Sequence, residues 1–221
     1  MHHFPIDAWA THLRRLAHSV LGDSLPDPAT FADDLGHRRP VDPWLIAWRA
    51  SRTGTPGPQH HPTTPNHALD VQLWRALTHP DSNTIRPDDL RDSDAPGPLQ
   101  PRSDDAAIEV WTETELAALH ALWWYAVGDT DSPLMQRILD TARWHLQHLQ
   151  PDNATNHPWA LHVFLLLNET DPNIGARHYA ETLLSNCQVM LGQPDRFSAL
   201  ILLDSADALQ MHFEMTEQSR P

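Results

Sequence analysis

Three ionisable residues lie where their neighbours are apolar. His120 sits in LAALHALWW, His162 in PWALHVFLL and Asp204 in ALILLDSAD. An ionisable side chain taken out of water is costly unless something neutralises or hydrogen-bonds it, so each of these needs a partner. If the three converge, the chemistry open to them is a general-base pair, in which a carboxylate orients an imidazole, or a metal triad. The plainer alternative is that each bonds a carbonyl or hydroxyl on a neighbouring helix. Spacing does not choose between the two, because the residues fall on three separate segments.

The remaining reactive side chains carry less. Cys187, the one cysteine, falls in phase with an apolar stripe and fits a structural thiol better than a nucleophile. His145 and His148 share a helix face without a third ligand in phase and read as solvated surface. No P-loop, GxGxxG, HExxH, GxSxG or EF-hand loop occurs, which removes most nucleotide, zincin and α/β-hydrolase readings. A single cysteine excludes a multi-cysteine zinc site, and no metal or cofactor is expected. The N-terminus has neither the basic nor the apolar region of a signal peptide, so a cytoplasmic protein is expected. On that reading the sequons at Asn153 and Asn168 are chance, because glycosylation needs the secretory route.

Charge narrows the partners. The 221 residues hold 15 Arg and no Lys against 29 Asp plus Glu, a formal net charge of −14. Duplex DNA and anionic membranes are held by basic patches, so neither is an expected partner. No apolar run approaches the roughly 18 residues of a membrane span. With 40% hydrophobic residues and nine Trp, there is material for a substantial core.

The elements that must position these residues are read from punctuation and period. Residues 1–110 hold 14 of the 20 Pro, and two stretches, about 51–66 and 79–105, lack any period and read as long loops. Short helices fit between them, over 6–21, 41–50 (Asp42 capping, Pro43 in the first turn) and 66–78. Residues 111–221 form a regular core of five helices. Thr112-Glu113-Thr114-Glu115 fits a capping box for a helix to about Val127. Ser132-Pro133, His157-Pro158, Asp171-Pro172 and Asp195 open the others, ending near Leu149, Leu167, Leu191 and Phe213. The second and fourth show one apolar stripe, as covering helices do, and the first is intermediate. WALHVFLLL and FSALILL are apolar nearly all round, which predicts burial on several sides.

If the helices starting near 113, 157 and 195 are parallel, their N-termini share one rim. That gathers Trp111, Glu113, His157, Trp159, Asp195 and Arg196. Helix N-termini favour anions, and aromatic walls suit sugars, so this rim is the candidate ligand site. The same residues also serve as caps and core staples, and both readings stand at this point.

Helix order, the alternation of buried with covering helices and the Pro-punctuated starts over about 111–213 resemble the helical-hairpin arrays of α/α toroids and related helical repeats. The resemblance implies an all-α, two-layer array of antiparallel hairpins, with roughly eight to nine helices in one folded unit. The long loops of the first half depart from that pattern, so the expected array is irregular and incomplete. Some toroids process sugars or transfer prenyl groups, but fold does not carry function, and none of their catalytic motifs can be placed here. The function expected is a non-catalytic interaction or scaffold protein with a protein partner. The alternative is a binder of, or enzyme acting on, a sugar-like small molecule at the rim.

Overall fold

The computed structural model describes residues 5–22, 43–54, 68–79, 90, 96–102, 107–127, 133–149, 156–172, 174–189 and 192–218. These form eight α-helices: α1 (Ile6–Leu21), α2 (Pro43–Thr53), α3 (Leu69–Thr78), α4 (Ile108–Ala126), α5 (Pro133–His148), α6 (Leu161–Thr170), α7 (Ala176–Asn186) and α8 (Arg196–Gln218). No strand occurs among the described residues, and the protein is all-α. None of these helices is long and apolar enough to cross a membrane.

Helix existence follows the period, and helix ends depart from it where a tertiary partner claims the capping residue. Thr112 is not a cap: α4 starts at Ile108, and Thr112 lies buried in its second turn. Both glutamates of the apparent capping box serve distant segments, Glu113 bonding His157 and Glu115 the backbone of Leu99 and Gln100. Asp171 closes α6 rather than opening the next helix, and α7 begins after Gly175, at φ 83°. Glycine holds that left-handed conformation without a Cβ clash. Asp195 does cap α8, accepting from the Ser198 N–H and hydroxyl at 2.8 Å each. The expected loop from 51 begins later, because α2 continues to Thr53. The remainder of that loop, most of 79–105, and the caps Asp42 and Ser132 lie outside the described residues.

Burial ranks the helices. Residues Trp159 to Leu167 are buried at every position, as is nearly all of α8 from Ser198 to Leu209. α4, expected to be intermediate, is buried almost all round from Trp111 to Trp124. The reason is that it packs against α3, α5 and α6 at once. Successive helices pack on one another from α2 to α7, while α1 lies along α8, its most extensive neighbour. The stripe Ile6, Trp9, Ala10, Leu13, Ala17 and Leu21 makes that interface, with alanines allowing close approach. One hydrophobic cluster therefore runs from Ile6 on α1 to Leu209 on α8.

Because α1 shares this core, Leu13→Ala should lower the stability of the whole chain by about 2–5 kcal/mol. Urea unfolding followed by far-UV circular dichroism and by tryptophan fluorescence should show one coincident, shifted transition. An unmoved main transition would mean that α1 folds apart from the rest.

Candidate functional site

Asp204 projects from the middle of α8 into a space closed by α2, α4 and the start of α6, and it has no exposed surface. Its Oδ1 accepts from Arg49 Nη1 at 3.0 Å. Its Oδ2 accepts from His120 Nε2 at 3.0 Å and from the Trp124 indole N–H at 2.7 Å. His120 and Trp124 are one helical turn apart, so α4 presents both to the same carboxylate. Burial alone would raise the Asp204 pKa. The His120 bond, the Arg49 charge and the Trp124 bond outweigh it and hold the group well below the usual carboxylate range.

Arg49 reaches one turn further along α8 to Asp207, at 2.6 Å, and Arg14 of α1 meets the other Asp207 oxygen at 3.0 Å. Burial lowers the affinity of Arg49 for its proton, and Asp204 with Asp207 more than restores it, so the guanidinium stays charged. The outer face of the cluster is aromatic, with Arg52 stacked over Trp124 at 4.0 Å and over Trp48 at 5.3 Å.

The geometry fixes the tautomer of His120. The backbone N–H of Ala160 donates to Nδ1 at 3.2 Å, so the ring proton sits on Nε2 and points at Asp204. Ala160 itself has φ 55°, a left-handed conformation that a non-glycine residue adopts at a cost of roughly 1–2 kcal/mol. The bond to His120 helps hold that strained residue at the start of α6.

His162 meets His120 edge to face at 4.4 Å and Trp123 at 5.1 Å, and neither of its ring nitrogens has a hydrogen-bond partner. Burial first, and the neighbouring His120 second, hold its pKa well below the ordinary histidine value despite the attraction of Asp204. It is a neutral ring in an aromatic wall.

His120, His162 and Asp204 are thus brought together, but not in the form that either chemistry requires. Both nitrogens of His120 are engaged, leaving no lone pair for a substrate proton or a metal. Among the described residues no group of three or more His, Cys, Asp or Glu could hold a metal ion.

The rim residues divide. His157 Nδ1 donates to Glu113 at 2.8 Å, and the Trp159 indole N–H points at the same oxygen at 3.4 Å. Phe197 packs edge-on against both rings, at 4.9 and 5.6 Å. Glu113 and His157 are only 8% and 5% exposed, so this end is filled by its own side chains. Trp111 turns away, donating to the Gln100 carbonyl at 3.3 Å and packing on Trp144. Asp195 is occupied as the α8 cap, and Arg196 is exposed. Contacts advance in step along α4 and α8, Glu113 through His157 to Phe197 and His120 to Asp204, seven residues on in each helix. That fits two helices pointing the same way.

Sequence reasoning missed Arg49, although an arginine in the apolar stretch VDPWLIAWRA was the available signal. It also missed Asp207, one turn from Asp204. His145 is corrected: it is fully buried, 3.7 Å from Glu115, while His148 is exposed. Cys187 is buried, which pushes its thiol up to about 12, and it points at the Leu184 carbonyl at 3.1 Å, as a structural thiol does. Comparison with family models, with curated proteins and with solved structures finds no match for this chain.

Asp204→Asn leaves Arg49 buried against one carboxylate instead of two and should cost about 3–5 kcal/mol in urea unfolding. Asp207→Asn, nearer solvent, should cost about 1 kcal/mol or less. Equal losses would mean that Asp204 is not the centre of the cluster.

His162 gives a pH signature. Its folded pKa lies below the unfolded value of about 6.5, so its contribution is intact above that pH and is lost as pH falls toward the folded value. Between pH 7.5 and 5.5 the melting temperature of His162→Leu should therefore fall less than that of the wild type. Equal falls would place a protonated, paired ring at this position.

Proposed function

We propose that this chain is a cytoplasmic, non-catalytic interaction or scaffold protein whose partner is another protein. One observation supports this most: the two acid–histidine pairs that could do chemistry, Asp204 with His120 and Glu113 with His157, are buried and spent on bonds within the fold. Asp204 and His120 are closed in on all sides, and Glu113 holds His157. A catalytic group must touch its substrate, and these groups touch the fold instead. The sugar-like ligand alternative needs an open rim, and the one acid–histidine pair there is covered by Phe197.

The outer surface carries the features left over. A net charge of −14 favours a partner of opposite charge. Ile108 and Val110 are 42% and 59% exposed on the first turn of α4, and Val189 is 69% exposed. Crosslinking of the tagged chain in cells, followed by mass spectrometry, should recover a stoichiometric protein partner that is weakened by salt. Recovery of none, together with a sugar or other small molecule that raises the melting temperature of wild type but not of Glu113→Gln, would overturn the reading in favour of the rim.

A further inference from the structure

The second buried polar cluster lies on the other face of α4, and it grips a piece of main chain. Residues 97–100, Gly-Pro-Leu-Gln, run between α4 and α5. Prolines at 96, 98 and 101 exclude them from a helix and bias the residue before each one toward extended backbone. Glu115 accepts from the N–H groups of both Leu99 and Gln100, the latter at 3.1 Å. Arg137 donates to the carbonyls of Gly97 and Pro98 at 3.1 and 2.7 Å, and Thr141 to that of Gly97 at 3.2 Å. Trp111 donates to the carbonyl of Gln100. Of the seven main-chain polar groups that this stretch possesses, five are held by side chains of two helices.

The holding groups are built in. Glu115 and Thr141 have no exposed surface, and Arg137 is 8% exposed. Residues 137 and 141 lie one turn apart on α5, and 111 and 115 one turn apart on α4, so two facing ridges aim polar groups into one cleft. The only side chain of the stretch that enters the core is Leu99. Main-chain bonds supply the grip and one apolar pocket supplies the selection, which is how peptide-recognition sites divide the work. With the cleft empty, a buried carboxylate and a buried guanidinium would each lose hydrogen bonds, so the cleft demands an occupant.

We propose that the α4/α5 cleft is a peptide-binding site, and that residues 97–100 are its tethered occupant. The partner it fits is an extended segment carrying a proline followed by a medium-sized apolar residue, presented by another protein. Binding in trans displaces the chain's own segment. The proposal rests on the interaction reading for its use in the cell, and on the cleft alone for its physics.

A fluorescein-labelled peptide Pro-Gly-Pro-Leu-Gln-Pro-Arg, matching residues 96–102, is the probe. A tethered ligand acts at a millimolar effective concentration and suppresses free peptide strongly. Leu99→Ala loosens the tethered segment, so by fluorescence polarisation this variant should bind the peptide at least about tenfold more tightly than wild type. Adding Glu115→Gln should weaken that binding by about tenfold, since charge-assisted bonds are lost. No saturable binding to folded Leu99→Ala, or equal binding with and without Glu115→Gln, overturns the proposal. If Leu99→Ala fails to fold, 15N-labelled wild type with several millimolar unlabelled peptide decides. The amide signals of Leu99 and Gln100 should then move or double, and unchanged signals overturn it. Peptide binding with no cellular partner recovered would leave the cleft standing and fault only the interaction reading.

Discussion

Asp204 carries a negative charge where no water reaches it, and a carboxylate in that position is stable only while donors surround it. The donors come from different parts of the chain: Arg49 from α2, His120 and Trp124 from α4. His120 passes the constraint on, because its second nitrogen takes the N–H of Ala160 and so positions the first residues of α6. One turn away Asp207 ties α1 to the same arginine through Arg14. Helices of unrelated sequence position are thus registered against one another by directional bonds. Hydrophobic packing alone would tolerate sliding that these bonds do not.

That registration has a consequence for function. A histidine–aspartate pair is the raw material of general-base catalysis only if the imidazole keeps a free nitrogen facing a substrate. Here the free nitrogen is turned into the backbone at a left-handed alanine, so the pair orders structure instead. His162 completes the wall as a neutral ring whose polar atoms are unmet, a cost of about 1–3 kcal/mol that packing must offset.

Much of this was legible in the residues. α1 matched its expected bounds because an amphipathic stripe with a glycine behind it leaves little choice. The burial of α6 and α8 followed from runs that are apolar all round, and His120, His162 and Asp204 were marked as buried polar groups by those same runs. What could not be read was which donor meets which acceptor. Thr112 through Glu115 has the composition of a cap, yet both glutamates are claimed by segments 15 or more residues away, which no local pattern records. α4 looked intermediate for the same reason, since its polar residues are buried with their partners rather than solvated. Glu115 has the spacing of a cap, and nothing local marks the partner it and Arg137 share, because the residues they grip lie in a proline-rich stretch with no period.

Asp204 and Glu115, the two carboxylates with no exposed surface among the described residues, solve one physical problem in different ways. Asp204 is met by side chains that are fixed parts of the fold, with a guanidinium to balance its charge, so none of its partners can leave without disturbing several helices at once. Glu115 is met by main-chain amides, and its neighbours Arg137 and Trp111 by main-chain carbonyls. Every non-proline residue offers the same amide and carbonyl, so chemistry of that kind does not require one particular sequence beyond the pocket for Leu99. The first cluster specifies a unique arrangement of helices. The second specifies only an extended chain of suitable shape, which is why the part of this structure open to exchange lies between α4 and α5 and not around Asp204.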